Sequence, residues 1–282
     1  MYNDLFSIGK LTVHSYGVLT AIALIAAILM ATKRAKNKGL NEDICYGILF
    51  VGVLSGYFLS KVTYILVECD WNDFIEHPFQ MLFSSGGFVV IGGMVGGIVG
   101  ACIYCKIKKV SAIDYLDLCV PSIAIAQGFG RLGCFMAGCC HGKPTDSVFG
   151  IAFSHSQFAP NGVKLIPTQL ISSAGNFLNM AILILISMKT KKKGVVSGAY
   201  IVIYSIGRFL VEFLRGDEVR GTIWVFSTSQ FFSLILLPVG AAFMAWGFFH
   251  KEKEPVLETV DGEGSDVKEI EEEKGEAGNE EV

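Results

Sequence analysis

Between Gln127 and Thr145 the chain reads Gln-Gly-Phe-Gly-Arg-Leu-Gly-Cys-Phe-Met-Ala-Gly-Cys-Cys-His-Gly-Lys-Pro-Thr. Arg131, Cys134, Cys139, Cys140, His141 and Lys143 stand there among five glycines, Gly142 included, where an apolar run ends. A charged group in a bilayer costs at least a few kcal/mol, so an arginine at such a place marks a functional site. A guanidinium offers planar, bidentate donors to a phosphate. A thiol beside a cation or an imidazole becomes a thiolate, which is nucleophilic.

A second polar stripe runs Tyr200, Tyr204, Arg208, Glu212 and Arg215. Its steps of four and three keep these residues on one side of a helix, with Glu212 placed to pair with Arg208. By the same spacing Gln127, Arg131 and Cys134 share a face. Arg131 lies about 27 Å of helix from Ile113, and Arg208 about 20 Å from Val195. The two arginines therefore reach similar depths on different helices, and together they form one expected site for a lipid phosphate.

The elements that must carry these residues are membrane spans. The chain of 282 residues is 52% hydrophobic and 17% charged, with a mean hydropathy of +0.51. Seven apolar runs approach the length that crosses a bilayer as helix. They are Ser15–Thr32, Ile44–Val67, Phe88–Cys105, Ile113–Phe135, Thr168–Met188, Val195–Leu214 and Thr222–Phe249. The expected fold is all-α, a polytopic membrane protein. Lysines and arginines follow the first, third, fifth and seventh runs. Basic loops stay in the cytoplasm, so the amino terminus is expected outside and the carboxyl terminus inside. That places the Gln127–Thr145 stretch near the outer leaflet of a bacterial cytoplasmic (inner) membrane. The glycine-rich third run, with Gly92, Gly93, Gly96, Gly97 and Gly100, is expected to pack closely against another helix.

The net charge of −3 divides unevenly. Residues 251–282 hold 13 of the 26 acids and 4 of the 23 bases, leaving the remainder at +6. The division expected is a membrane domain over residues 1–250 and an acidic, disordered cytoplasmic tail over 251–282. Nothing points to nucleic acid.

The eight cysteines differ in promise. Cys45 and Cys119 read as packing residues, and Cys102 with Cys105 form a Cys-x-x-Cys without a thioredoxin context. For Cys134, Cys139 and Cys140 three readings stay open. One is a reactive thiolate activated by His141, Lys143 or Arg131. Another is a disulfide. The third is a metal site, although the spacing matches no common structural-zinc pattern. No cofactor and no metal is expected.

The residues resemble those of the prolipoprotein diacylglyceryl transferases, membrane enzymes of about seven helices with an external amino terminus. The similarity runs from about Phe6 to Phe249. It rests on Ile8-Gly9-Lys10-Leu11-Thr12-Val13-His14-Ser15-Tyr16-Gly17, on Gly130-Arg131-Leu132-Gly133, on Pro167-Thr168-Gln169-Leu170, and on Tyr204, Arg208-Phe209, Glu212 and Arg215. The resemblance implies functional roles for Tyr16, Arg131, Gly142, Tyr204 and Arg208. It also implies transfer of a diacylglyceryl group from phosphatidylglycerol to a cysteine thiol of a secreted lipoprotein precursor. Cys134 stands where the family has asparagine, Cys139 where it has a functional glutamate, and Ile91 where it has a histidine.

The function expected is therefore a lipid-modifying transferase. Arg131, Arg208, Tyr204, Cys139, Cys140 and His141 would do the chemistry. Tyr16, Gln127, Cys134, Gly142, Lys143, Glu212 and Arg215 would bind the lipid. Cys139 or Cys140 could also carry the lipid group covalently before passing it to another thiol acceptor. Two rivals are a membrane thiol–disulfide protein using the same cysteines and a lipid-binding protein without chemistry.

Overall fold

The structure is a computed structural model that describes residues 4–8, 11–69, 71–83, 87–156, 158–216 and 222–249. The acidic tail lies outside them, as do Gly9 and Lys10 of the amino-terminal motif.

A hairpin of β1 (Asp4–Ile8) and β2 (Leu11–His14) leads into α1 (Ser15–Asn37), followed by α2 (Glu42–Val67). Two short helices, α3 (Trp71–Glu76) and α4 (Pro78–Phe83), precede α5 (Val90–Ile107) and α6 (Ala112–Ala137). The segment after α6 contains a two-stranded pair, β3 (Ile151–Ala152) with β4 (Lys164–Leu165). The chain closes with α7 (Thr168–Lys189), α8 (Val195–Glu212), the hairpin β5 (Thr222–Ile223) and β6 (Phe226–Ser227), and α9 (Thr228–Phe249). Among the described residues, α1, α2, α5, α6, α7, α8 and α9 are long and apolar enough to cross a membrane. Their outer faces carry large exposed side chains such as Leu29, Phe50, Val67 and Leu185, which suits lipid as solvent.

Several boundaries differ from the sequence reading, among them the end of α1, which runs on past Thr32 to Asn37. The seventh span begins at Thr228 rather than Thr222, because the apolar residues before it form the β5–β6 hairpin. The reason is local. The Ser227 hydroxyl accepts from the Gln230 amide at 3.2 Å and the Gln230 side chain accepts from the Ser227 amide at 3.1 Å. This reciprocal capping box starts a helix at its own position. The sixth span ends at Glu212, before the expected Leu214.

Close approach of helices replaces hydrophobic drive inside a membrane. A Cβ on Gly56 would lie 2.9 Å from the Gly93 carbonyl, and one on Gly96 2.6 Å from that of Ser55, so α2 and α5 meet backbone to backbone. A Cβ on Gly198 would lie 2.6 Å from the Met244 amide, which joins α8 and α9 the same way.

One end of the bundle gathers the basic turns. Lys193 pairs with Asp114 at 3.0 Å, Arg34 donates to the Ser187 hydroxyl at 3.0 Å, and the Lys192 ammonium donates to the Phe248 carbonyl at 2.7 Å. Below this layer sits Asp117, 5% exposed, on α6. It accepts from the amides of Gly194 at 2.7 Å and Ser197 at 2.8 Å and from the Ser197 hydroxyl. A carboxylate from α6 thus caps the start of α8 and meets its positive dipole end. Gly194, at φ 82°, supplies the turn that brings those amides round. Replacing Asp117 by alanine strands these donors and is expected to lower unfolding stability by about 2–4 kcal/mol. Thermal unfolding in detergent measures it, and an unchanged midpoint would contradict the capping role.

Candidate functional site

At the opposite end α6 stops at Gly138, which turns in the left-handed region at φ 77°. Cys140 follows with φ 60°, unusual for a residue with a side chain. The backbone then runs between two others. Gly142 donates to the Ile166 carbonyl at 3.0 Å, Lys143 to that of Leu214 at 2.9 Å, and Gly216 to that of His141 at 3.2 Å. A Cβ on Gly142 would stand 2.5 Å from the Ile166 carbonyl oxygen and 2.8 Å from that of Leu214. Only glycine fits between those carbonyls. The position thereby ties the segment after α6 to the segments before α7 and after α8.

The Thr168-Gln169 pair explains its motif here. Each is 1% exposed. The Thr168 hydroxyl donates to the Cys140 carbonyl and the Gln169 amide to the Cys139 carbonyl, both at 2.8 Å. The sequence reading took these residues only as the start of a helix. A buried glutamine opening an apolar run was the signal available.

The result is a triangle of thiols. The sulfurs of Cys134, Cys139 and Cys140 all lie within 4.8 Å of one another, and none of the eight cysteines is in a disulfide. The trio is partly exposed. Hydrogen bonds to Cys134 and Cys140 hold the Cys139 thiol protonated, its pKa raised far above the usual range. Hydrogen bonds from Cys134 and Cys139, and then the Arg215 guanidinium, draw Cys140 well below it. The cation bonded to Cys140 is therefore Arg215. His141 turns its Nδ1 to the Gly142 carbonyl at 3.0 Å, and Lys143 is exposed. Tyr16 belongs to this side of the site. Its ring lies 3.1 Å from where a Gly133 Cβ would be, and the thiols act on its hydroxyl electrostatically.

Beside the thiols, α6, α7 and α8 enclose a cavity of about 410 Å³ lined in part by Arg131, Asn179, Tyr204 and Arg208. Leu178 and Leu210 also line it and are largely exposed, so its rim is apolar. The guanidinium of Arg208 meets the Glu212 carboxylate at 2.8 Å and donates to the Ser229 hydroxyl at 2.6 Å. Glu212 also lies 3.9 Å from Arg215 and accepts from the Ser227 hydroxyl at 2.9 Å. Arg131 has no hydrogen-bond or ion-pair partner among the described residues, although its charge reaches both Arg208 and Cys134. Two guanidinium groups thus share one carboxylate, and a third lines the cavity beside them. Tyr204 stacks on Tyr200 at 5.8 Å between ring centroids, and Tyr200 bonds Gln127. The fold brings Arg131, Tyr204 and Arg208 to one cavity, with Gln127 behind the tyrosines. Tyr16, His141 and Arg215 gather at the thiols.

Asn179 was not singled out from the sequence. It is 2% exposed, and neither polar atom of its amide has a partner among the described residues. Lys61 was also missed, a lysine within an apolar run. It is 1% exposed on α2, donates to the Met81 carbonyl at 3.3 Å, and sits 4.2 Å from the Phe88 ring centroid.

The family model described as prolipoprotein diacylglyceryl transferase matches residues 3–246. A phosphatidylglycerol–prolipoprotein diacylglyceryl transferase of Clostridium tetani is 43% identical over 236 residues, 84% of this chain and 94% of that protein. The second such transferase of Clostridium perfringens is 42% identical over 229 residues, 80% of this chain and 88% of that one. One from Staphylococcus haemolyticus is 31% identical over 247 residues, 86% of each chain.

Substituting Gly142 by alanine is expected to cost about 1–3 kcal/mol through overpacking against the two carbonyls. It should also speed alkylation of Cys140, read by mass spectrometry, because the clamp on that turn loosens. Alkylation at the unaltered rate would show that Gly142 does not set the turn.

Proposed function

The chain belongs to the prolipoprotein diacylglyceryl transferase family, and we propose that it moves a diacylglyceryl group from phosphatidylglycerol to the cysteine thiol of a lipoprotein precursor. One observation carries this reading. An unpaired Arg131 and a partly neutralised Arg208 face a single apolar cavity between three membrane helices. A cavity of this kind suits an amphiphile with an anionic head. The excess positive charge recognises the phosphodiester, and the apolar rim receives the acyl chains.

The chemistry is substitution at the glycerol carbon that bears the phosphate. The acceptor sulfur forms a thioether bond as the carbon–oxygen bond breaks, and glycerol phosphate leaves with added negative charge. Arg131 is free to meet that charge where it develops, and such preorganised donors act chiefly on the transition state. Arg208, tied to Glu212 and Ser229, holds a fixed orientation for the same anion. Tyr204 lines the same cavity and orients the head group. Tyr16 stands toward the thiols and so toward the acceptor. His141, Lys143 and Arg215 frame that acceptor side, where Gly142 supports the turn.

The basic turns gathered at one end support a cytoplasmic placement of that end. On this reading the transfer site opens toward the outer leaflet of the bacterial cytoplasmic membrane, where a secreted precursor emerges. Residues 1–250 are taken as the working domain, and residues 251–282, with 13 of the 26 acids, as an acidic extension of the sequence.

The test uses the full chain in vesicles of phosphatidylglycerol with a cysteine peptide of the precursor. Intact mass should show the diacylglyceryl thioether, with one glycerol phosphate released per product. Arg131→Ala should lower kcat/KM by about 100-fold or more, as loss of one preorganised charge donor does. Arg131→Lys should restore only part of it, lacking the bidentate fork. Absence of any thioether from the unaltered protein would defeat the reading.

A further inference from the structure

Cys134 and Cys139 stand where the resemblance leads one to expect an asparagine and a glutamate, Cys140 adjoins them, and none of the three lines the arginine cavity. Their geometry points to a ligand. In a tetrahedral zinc site with zinc–sulfur bonds near 2.3 Å, neighbouring sulfurs are roughly 3.8 Å apart. The sulfurs of Cys134, Cys139 and Cys140 all lie within 4.8 Å of one another. Side-chain rotations that close the triangle by about 1 Å or less would bring all three into the coordination sphere of one ion.

Adjacent cysteines ordinarily make poor partners for one ion, and the fold removes that objection. The left-handed turns at Gly138 and Cys140 set the pair against the helix end that carries Cys134. The buried Thr168 and Gln169 hold the Cys140 and Cys139 carbonyls, so the backbone of the turn is fixed before any ion arrives. Metal sites depend on such outer supports for affinity.

Charge agrees with this. Three thiolates around a divalent ion carry a net −1. Arg215 bonds Cys140 and the Arg131 charge reaches Cys134, so the surroundings compensate the site. Soft thiolates select zinc over hard cations. Three protein ligands leave a fourth position open, the pattern of catalytic rather than structural zinc. The trio is partly exposed, so that position can be reached.

We propose that Cys134, Cys139 and Cys140 hold a zinc ion whose fourth position takes the acceptor thiol. The second half of this statement rests on the transferase reading above. A thiol bound to zinc loses its proton outright, and the thiolate is the nucleophile. The acceptor sulfur then forms its bond to the glycerol carbon as the carbon–oxygen bond breaks. The departing glycerol phosphate carries away the electron pair of that bond and takes up the proton the thiol lost. Zinc is neither oxidised nor reduced. The ion thereby takes over the thiol activation that a general base would otherwise supply.

The full chain, purified in detergent from zinc-supplied cells, is assayed for metal by mass spectrometry. It is compared with Cys134→Ser, Cys139→Ser, Cys140→Ser and the exposed Cys102→Ser. About one zinc per chain is expected in the unaltered protein and in Cys102→Ser, and less than about 0.1 in the other three. After the metal is stripped with a chelator, added zinc should raise the unfolding temperature of the otherwise unaltered protein and leave those three variants unmoved, a readout that needs no activity. Cobalt in place of zinc should give sulfur-to-cobalt absorption that changes when the cysteine peptide is added and not when its serine analogue is. No more metal in the unaltered protein than in the three variants would overturn the site. Undiminished transfer by metal-free protein would overturn the role while leaving the transferase reading intact. A zinc-loaded protein with the cobalt response but no thioether product would instead defeat the transferase reading and leave the site standing.

Discussion

A single carboxylate governs the charge of this site. Glu212 lies against Arg208 and Arg215 and accepts from Ser227, while Arg131 stands apart with no partner among the described residues. Even with the Cys140 thiolate beside Arg215, three guanidinium groups leave a positive surplus in a layer poor in water, and its cost falls when an anion arrives. The neighbouring elements follow from this. The capping box at Ser227 brings the start of α9 to Glu212, and Ser229 beside it meets Arg208. Arg215, beyond the end of α8, lies between the carboxylate and Cys140, so the anion side and the thiol side share one guanidinium.

The sequence was most legible where the bilayer dictates it. Long apolar runs and the lysines after every second one located seven helices, because nothing else survives in lipid with so few charges. Arg131, Tyr204 and Arg208 could be read as a set because helical spacing and depth are simple arithmetic. Spacing fails where the chain leaves the helix. No periodicity foretells that Cys140 adopts φ 60° or that Thr168 and Gln169 reach back to the preceding turn. The run from Thr222 read as membrane because Ile, Trp, Val and Phe are as apolar in a hairpin as in a span. Lys61 and Asn179 were hidden for the opposite reason, each lying inside a span whose overall apolar character dominates the reading.

The resemblance and the geometry divide the work between them. The resemblance read from the sequence implies roles for the arginines, the late-helix tyrosine and Gly142, and the lack of a Cβ at Gly142 lets three backbone segments meet. It does not account for the cysteines. Those are explained by local structure, a left-handed turn held by two buried donors beside a charged residue. A scaffold can keep its arginine-lined cavity and exchange the groups beside it, because none of the three thiols lines that cavity.

The apolar rim of the cavity sets how its ligand is supplied. Leu178 and Leu210, on α7 and α8, are exposed on the outer face of the bundle, where acyl chains would touch them. A phospholipid can therefore slide in sideways along the leaflet without its tails crossing water. The variable that governs saturation is then surface density, the mole fraction of anionic lipid in the surrounding leaflet. Diluting the vesicles in buffer leaves that quantity untouched, whereas blending in neutral lipid lowers it.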